Sequence, residues 1–344
     1  MFARSVQKSI ATGYDDQQIV IYGGEPTLNK NTLIYALDYI GQEKEEGRLP
    51  KSVGVTINTN GINLDSDILE CAKKVRAVVA ISIDGPPQVH NKLRIYPDGK
   101  PTLDDVVKKY RLAKKIGVKT GLCCTVDEHN LGQLTDVLNW LSDELDVKGM
   151  GFNILLENRK EQSEEQYNSY SKQTAGELIA CFKVARSKGI YEDRIMRRVK
   201  NFVEKTPVYS DCGGCGLQVV VAPDGDVGVC QAFCGSRQYF VSENLEDFEP
   251  EKHEYWKEWR KRSPLTMEQC KGCIAFGNCG GGCPYSAYKR KGSIWELDER
   301  FCVHAKQTVE FLIKDLWEKK YKGRQDDAKP GVPLDRQPFG HVGR

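Results

Sequence analysis

The 344-residue sequence lacks an excess of either charge: 50 Lys and Arg stand against 48 Asp and Glu, a formal charge of +2. That balance excludes a chain that grips nucleic acid through a broad basic surface. Long hydrophobic runs are missing too. No stretch approaches the roughly 18–20 apolar residues of a membrane-spanning helix, and mean hydropathy is −0.52. The opening MFARSVQKSIATGYDDQQ holds no apolar core of the kind a signal peptide carries. There is no internal repeat or low-complexity block. Cysteine is scarce early: Cys71, Cys123, Cys124 and Cys181 are the only ones before Cys212. Nine more fall between Cys212 and Cys302, and that imbalance is what any function has to explain.

The length suits one large domain or two ordinary ones. Residues 1–185 alternate short β-rich runs with amphipathic stretches, the pattern of a parallel sheet in an α/β fold. Strands are expected at 17–24, 52–59, 76–84, 118–126 and 149–155, each apolar enough to be buried on both faces. Helices are expected at NTLIYALDYIGQEKEEG and LDDVVKKYRLAKKIG, whose apolar residues recur at three- and four-residue spacing and which end at Gly. The turns GGEPTLN, NGINLD and DGPPQVHN follow strand C-termini, where β/α barrels carry their active sites. Five strands are too few for an eight-stranded barrel. Residues 186–211 read as a linker helix (IYEDRIMRRVKNFVEK), and 212–318 as a Cys- and Gly-rich domain with short strands around an Asp-Gly turn. The helix KQTVEFLIKDLWEKK closes that domain, and the polar tail 319–344 is expected to be disordered.

The cysteines run Cys212-x2-Cys215, Cys230, Cys234, Cys270-x2-Cys273-x5-Cys279-x3-Cys283 and Cys302. Thiolates two or three residues apart can face one metal centre. The glycines of GNCGGGCPY let the backbone wrap a cluster. Disulfides would need an oxidising compartment and would leave an odd thiol. Two four-thiolate zinc sites could be drawn from these residues, and iron–sulfur clusters also take four thiolates each. Spacing alone does not separate zinc from iron. Cys123 and Cys124 sit in a strand and read as small core residues.

Two features together resemble the radical S-adenosylmethionine (SAM) enzymes that carry a SPASM domain. The first is Gly23-Gly24-Glu25-Pro26, similar to the family's GGEP motif and followed by Thr59-Asn60-Gly61 and by SIDGPPQVHN from Ser82 to Asn91. The second is Cys215-x9-Gly225-x4-Cys230, then C-x2-C-x5-C-x3-C, then Cys302, which fits the SPASM seven-cysteine pattern. The resemblance covers about residues 1–318. It implies a partial (β/α)6 radical SAM barrel, then a SPASM domain with two auxiliary [4Fe–4S] clusters. By position, Cys212, Cys215, Cys230 and Cys283 would ligate the first cluster, and Cys270, Cys273, Cys279 and Cys302 the second. Cys234 is left over, a free thiol or a substitute for Cys212. Gly23, Gly24, Glu25 and Pro26 would hold the methionine end of SAM, with Glu25 accepting from its ammonium. Thr56, Asn58, Ser82 and Asp84 are candidates for its ribose and carboxylate. Asp84 has an alternative as the cap of the turn before Pro86.

One departure matters. The motif C-x3-C-x2-C, which ligates the SAM-cleaving cluster, is absent from the sequence. The family places it tens of residues before GGEP, so the chain is expected to be an N-terminally truncated member lacking its first strand. Met1 to about Ala11 would be the end of the helix after that strand. As written, such a chain is expected not to cleave SAM. In the complete enzyme, the family's chemistry is reductive cleavage of SAM to a 5′-deoxyadenosyl radical that abstracts a substrate hydrogen.

The resemblance implies a ribosomally made precursor peptide as substrate, and an electron donor such as flavodoxin or ferredoxin. It also implies an anaerobe's cytoplasm, while the charge balance and the lack of long apolar runs argue against nucleic acid and membrane as partners. Sulfatase-maturating relatives place a catalytic Asp where this chain has Gln231, and Gln cannot act as a base. GVCQAF looks more like the maturases that form thioether crosslinks in Cys-rich peptides. An inactive SPASM-type scaffold that binds a peptide or partner is the alternative from another class. A zinc protein unrelated to SAM is a third, and it predicts a colourless preparation.

Overall fold

The computed structural model describes residues 17–155, 163–242 and 248–321. The positions given above to a helix end before Ala11 and to the tail beyond Tyr321 lie outside the described residues. Two compact units divide the chain. The first takes residues 17–154 and 183–194 of the described chain; the second takes 155–182 and 195–321.

The first unit is built on a six-stranded sheet of β1 (Gln18–Ile21), β2 (Gly54–Thr59), β3 (Val78–Ser82), β4 (Lys119–Val126), β5 (Gly149–Ile154) and β6 (Tyr191–Glu192). The strands lie in chain order, and every neighbouring pair is parallel. Parallel neighbours need long crossovers. Helices supply most of them: α1 (Lys30–Glu45), α2 (Ser66–Lys74), the single turn α3 (Pro87–His90), α4 (Leu103–Ile116), α5 (Leu134–Leu145) and α6 (Glu164–Ser187). The ends of these helices follow from local chemistry. Asp65 caps α2 by accepting from the Ile68 amide at 3.0 Å. Gly117, at φ +83°, ends α4.

Side chains alternate across a strand, and paired residues of parallel strands share a face. One face therefore carries Val55, Ile57, Val79, Ile81, Leu122, Cys124, Met150 and Phe152, all buried. The opposite face carries Gly54, Thr56, Asn58, Ala80, Ser82, Gly121, Cys123, Thr125, Gly151 and Asn153, which are small or polar. The first face is the hydrophobic core; on the second, Asn58, Ser82, Cys123, Thr125, Gly151 and Asn153 are half-buried. All five expected strands are present, and a sixth is added. It is two residues long and opens the stretch expected to be wholly helical, whose remainder forms α7 (Asp193–Glu204). So short a strand exists through its ladder to β5, where Met150 pairs with Glu192, and leaves no periodic trace in sequence.

The second unit has a small antiparallel sheet of β7 (Val220–Val221), β8 (Val227–Gly228) and β9 (Phe240–Val241). Asp224-Gly225 makes the first turn, with Gly225 at φ +93°. Around the sheet lie α8 (Glu254–Arg260), α9 (Phe276–Cys279), α10 (Pro284–Lys291) and α11 (Glu299–Tyr321). With so little regular structure, aromatic packing supplies much of the core. Phe233 meets Tyr239, Trp259, Tyr285 and Tyr288 edge-on, with ring centroids 4.9–5.9 Å apart. A buried polar knot ties three segments together: Asp298 accepts from Tyr167 Oη at 2.6 Å, from Arg300 and from Ser286. Among the described residues no helix is long and apolar enough to cross a membrane.

Candidate functional site

In the first unit the candidate residues gather at the C-terminal ends of β1 to β4. Gly23 and Gly24 follow β1, and Gly23 has φ +152°, where L side chains rarely go. A Cβ on either glycine would meet nothing within 4 Å, so a cradle lies open beside this strand end. Glu25 turns back into the protein. Its Oε1 accepts from Thr27 N at 3.0 Å, Thr27 Oγ1 at 2.6 Å and Thr59 Oγ1 at 2.6 Å, and its Oε2 accepts from Asn60 N at 2.6 Å. The GGEP and TNG segments, separate in sequence, are thus joined through one carboxylate. Pro26 opens the short 3-10 turn that Glu25 caps.

Asn58 lies on the small-residue face of β2. Both its Oδ1 and its Nδ2 are shielded from solvent without a hydrogen-bond partner among the described residues. An unpartnered buried amide is costly, and a ligand with a donor and an acceptor would satisfy it. Thr56, two residues earlier on the same face, is buried. Ser82 ends β3 in register with Cys123 of β4. Burial, and next the charge of Asp193, push the Cys123 thiol up to about 12, so it stays protonated.

Asp84 does not cap the turn before Pro86. Its carboxylate takes Arg94 Nε at 2.5 Å and the Thr125 amide at 2.8 Å, which fastens the end of β3 to the end of β4. Its own amide donates to His90 Nδ1 at 3.2 Å, and the other ring nitrogen meets Thr102 Oγ1 at 3.2 Å. Burial lowers the His90 pKa to about 4, so the ring is neutral. Arg94, ten residues from its partner in an irregular loop, was invisible to pattern reading. The open glycine cradle and the orphaned Asn58 amide fit a polar, extended cofactor.

The second unit gathers eight of its ten cysteines into two groups of four. In one, the Cys212 and Cys215 thiols share a hydrogen bond that, first among causes, raises Cys212 and lowers Cys215. Cys230, raised chiefly by burial, feels the charges of Cys283 and Cys212. In the other, Cys270, Cys273, Cys279 and Cys302 line a single cavity of about 80 Å³. Burial, and next the charge of Cys279, push Cys302 up to about 12. Cys234 joins neither set; its sulfur accepts from Arg237 Nη1 at 3.0 Å. Among the described residues no three His, Cys, Asp or Glu side chains close on a point as a single ion requires. The cavity is several times what one water needs. Four thiols set around such a space fit a metal centre held by thiolates.

Comparison with known proteins agrees with this geometry. The model of the radical SAM superfamily matches residues 4–141. The radical SAM cyclopropyl synthase TigE of Paramaledivibacter caminithermalis is 25% identical over 320 residues, covering 90% of this chain and 63% of that enzyme. This chain therefore spans less than two thirds of that relative. A cysteine-type anaerobic sulfatase-maturating enzyme of Clostridium perfringens is 25% identical over 307 residues, 86% of this chain and 80% of its own. The solved structure of native anSMEcpe with bound AdoMet and the Cp18Cys peptide shares the fold at TM-score 0.72 and 21% identity, over 94% of this chain and 91% of that one. The radical SAM match thus falls on the part of the chain that holds the parallel sheet and the strand-end GGEP segment.

Proposed function

We propose that the chain is a SPASM-type radical SAM maturase of a ribosomally made, cysteine-rich peptide, with thioether crosslinking as its reaction. The observation that carries this reading is the pair of four-thiol groups in the second unit. Cys212, Cys215, Cys230 and Cys283 would hold one auxiliary [4Fe–4S] cluster, and Cys270, Cys273, Cys279 and Cys302 the other. In the first unit, Gly23 and Gly24 would admit the methionine end of SAM against main chain. Asn58 and Ser82 would meet its polar groups. Glu25 and Asp84 would act at one remove, by fixing the loops that carry those contacts. When bound, SAM and its reducing cluster supply a hydrogen-abstracting radical, and the auxiliary clusters supply an electron acceptor. The sequence holds no C-x3-C-x2-C motif for the reducing cluster, so the 344 residues alone are read as binding SAM without cleaving it.

A peptide substrate is supported by the peptide bound in the anSMEcpe structure. Gln231, just after Cys230, favours crosslinking over sulfatase maturation. Its Oε1 accepts from Gln218 Nε2 at 2.9 Å, an amide pair with no base in it. The test is iron, sulfide and zinc analysis of anaerobically reconstituted protein, with SAM binding and 5′-deoxyadenosine release under dithionite. About eight irons per chain, bound SAM and no 5′-deoxyadenosine are expected. Stoichiometric zinc without iron or colour would overturn the cluster assignment.

A further inference from the structure

Arg262 differs from the other buried cations of the second unit. It is 1% exposed, and its guanidinium donates to main-chain carbonyls: Nη1 to Gly282 at 2.9 Å, Nη2 to Glu296 at 3.1 Å and Nε to Ile294. Among the described residues no carboxylate pairs with it. Arg198 has Asp211, Arg300 has Asp298, and Arg290 has Glu164. Carbonyl dipoles solvate a buried cation but do not neutralise it, and an uncompensated buried charge is strongly unfavourable.

The surroundings of this guanidinium say where its counter-charge lies. Gly280, Gly281 and Gly282 are the three residues between Cys279 and Cys283, and so join one thiol group to the other. Nη1 sits on this bridge: it bonds Gly282 O and would stand 3.4 Å from a Cβ on Gly281. Gly281 itself lines the cavity with Cys270, Cys273, Cys279 and Cys302. The guanidinium therefore bonds the residue next to Cys283 of one group and adjoins a residue that lines the cavity of the other. Four thiolates outweigh the charge of an iron–sulfide core, so a loaded site is a net anion.

We propose that Arg262 is the shared counter-charge of two metal–thiolate clusters, held between them by the carbonyls of Gly282, Ile294 and Glu296, and that it raises the reduction potential of both. The inference rests on the cluster assignment proposed above. A nearby cation favours the more negative, reduced state of each centre. Removing it should therefore make both harder to reduce.

The experiment compares reconstituted wild type, Arg262→Gln and Arg262→Lys. Iron and sulfide are assayed first, and then each cluster is titrated potentiometrically by electron paramagnetic resonance. In Arg262→Gln the reduced-to-oxidised ratio of both clusters at fixed potential should fall about tenfold, or about 59 mV for a one-electron couple. Arg262→Lys should keep both near their wild-type potentials. Full loading of Arg262→Gln with unchanged potentials, or a shift in one cluster alone, overturns the shared role. If Arg262→Gln does not load, the lysine variant decides. Loading with wild-type potentials supports the charge, whereas failure to load makes Arg262 a bracket for carbonyls and overturns the proposal. Wild type without iron would instead remove the cluster reading itself, whatever the variants do.

Discussion

At Glu25 one carboxylate accepts four hydrogen bonds from its own chain, three of them at 2.6 Å. A charged acceptor with that many donors is a latch between two loops, and hydrogen bonds to ionised groups each contribute about 1.5–3 kcal/mol. Glu25→Gln keeps the shape but turns one acceptor into a donor that faces donors. Unfolding in urea should show the first unit destabilised by about 2 kcal/mol. SAM affinity should fall with it, because the Gly23-Gly24 cradle is anchored there. An unchanged midpoint with weaker SAM binding would mean that Glu25 touches the ligand and does not latch the loops. Asn58 is the opposite case. Its amide has no partner among the described residues, so its cost is recovered only when something polar binds.

Among the elements, the glycine run between Cys279 and Cys283 has little tolerance at its first residue. A Cβ on Gly280, at φ +77°, would fall 2.4 Å from the Asp211 amide nitrogen and the Ser210 carbonyl carbon, and backbone cannot swing aside. Gly280→Ala should therefore displace both flanking cysteines, and iron content should drop at both sites together. Loss confined to one site, read by Mössbauer or paramagnetic resonance spectra, would show that the bridge does not couple them. How far sequence could see such elements follows from their physics. The five expected strands were legible because each is buried on its core face by a run of Ile, Val, Leu or Phe. The cysteine spacing was legible because turns place near neighbours on one centre. Arg94 with Asp84, and Arg262 with its three carbonyls, were not. Their partners lie 10 to 34 residues away across irregular loops, where no periodicity survives.

The whole molecule divides its chemistry between two units. Every residue proposed for SAM lies in the first, and every proposed cluster ligand in the second. Each unit also has its own means of stability. The first has a parallel sheet with a continuous apolar face. The second has short strands, an aromatic knot and two groups of crowded thiols. Ligands that bind only the folded state stabilise it by mass action, by about 2.7 kcal/mol at a hundredfold excess over Kd. For a domain of this size that is a shift of about 5–10 °C. Anaerobic calorimetry should accordingly resolve two transitions. SAM should raise one of them by that amount, and iron–sulfide reconstitution should raise the other. If both ligands move the same transition, the assignment of SAM to the first unit and clusters to the second is wrong. If reconstitution moves neither, the eight thiols are not ligands, because metal bound to folded thiolates cannot fail to stabilise the fold that positions them.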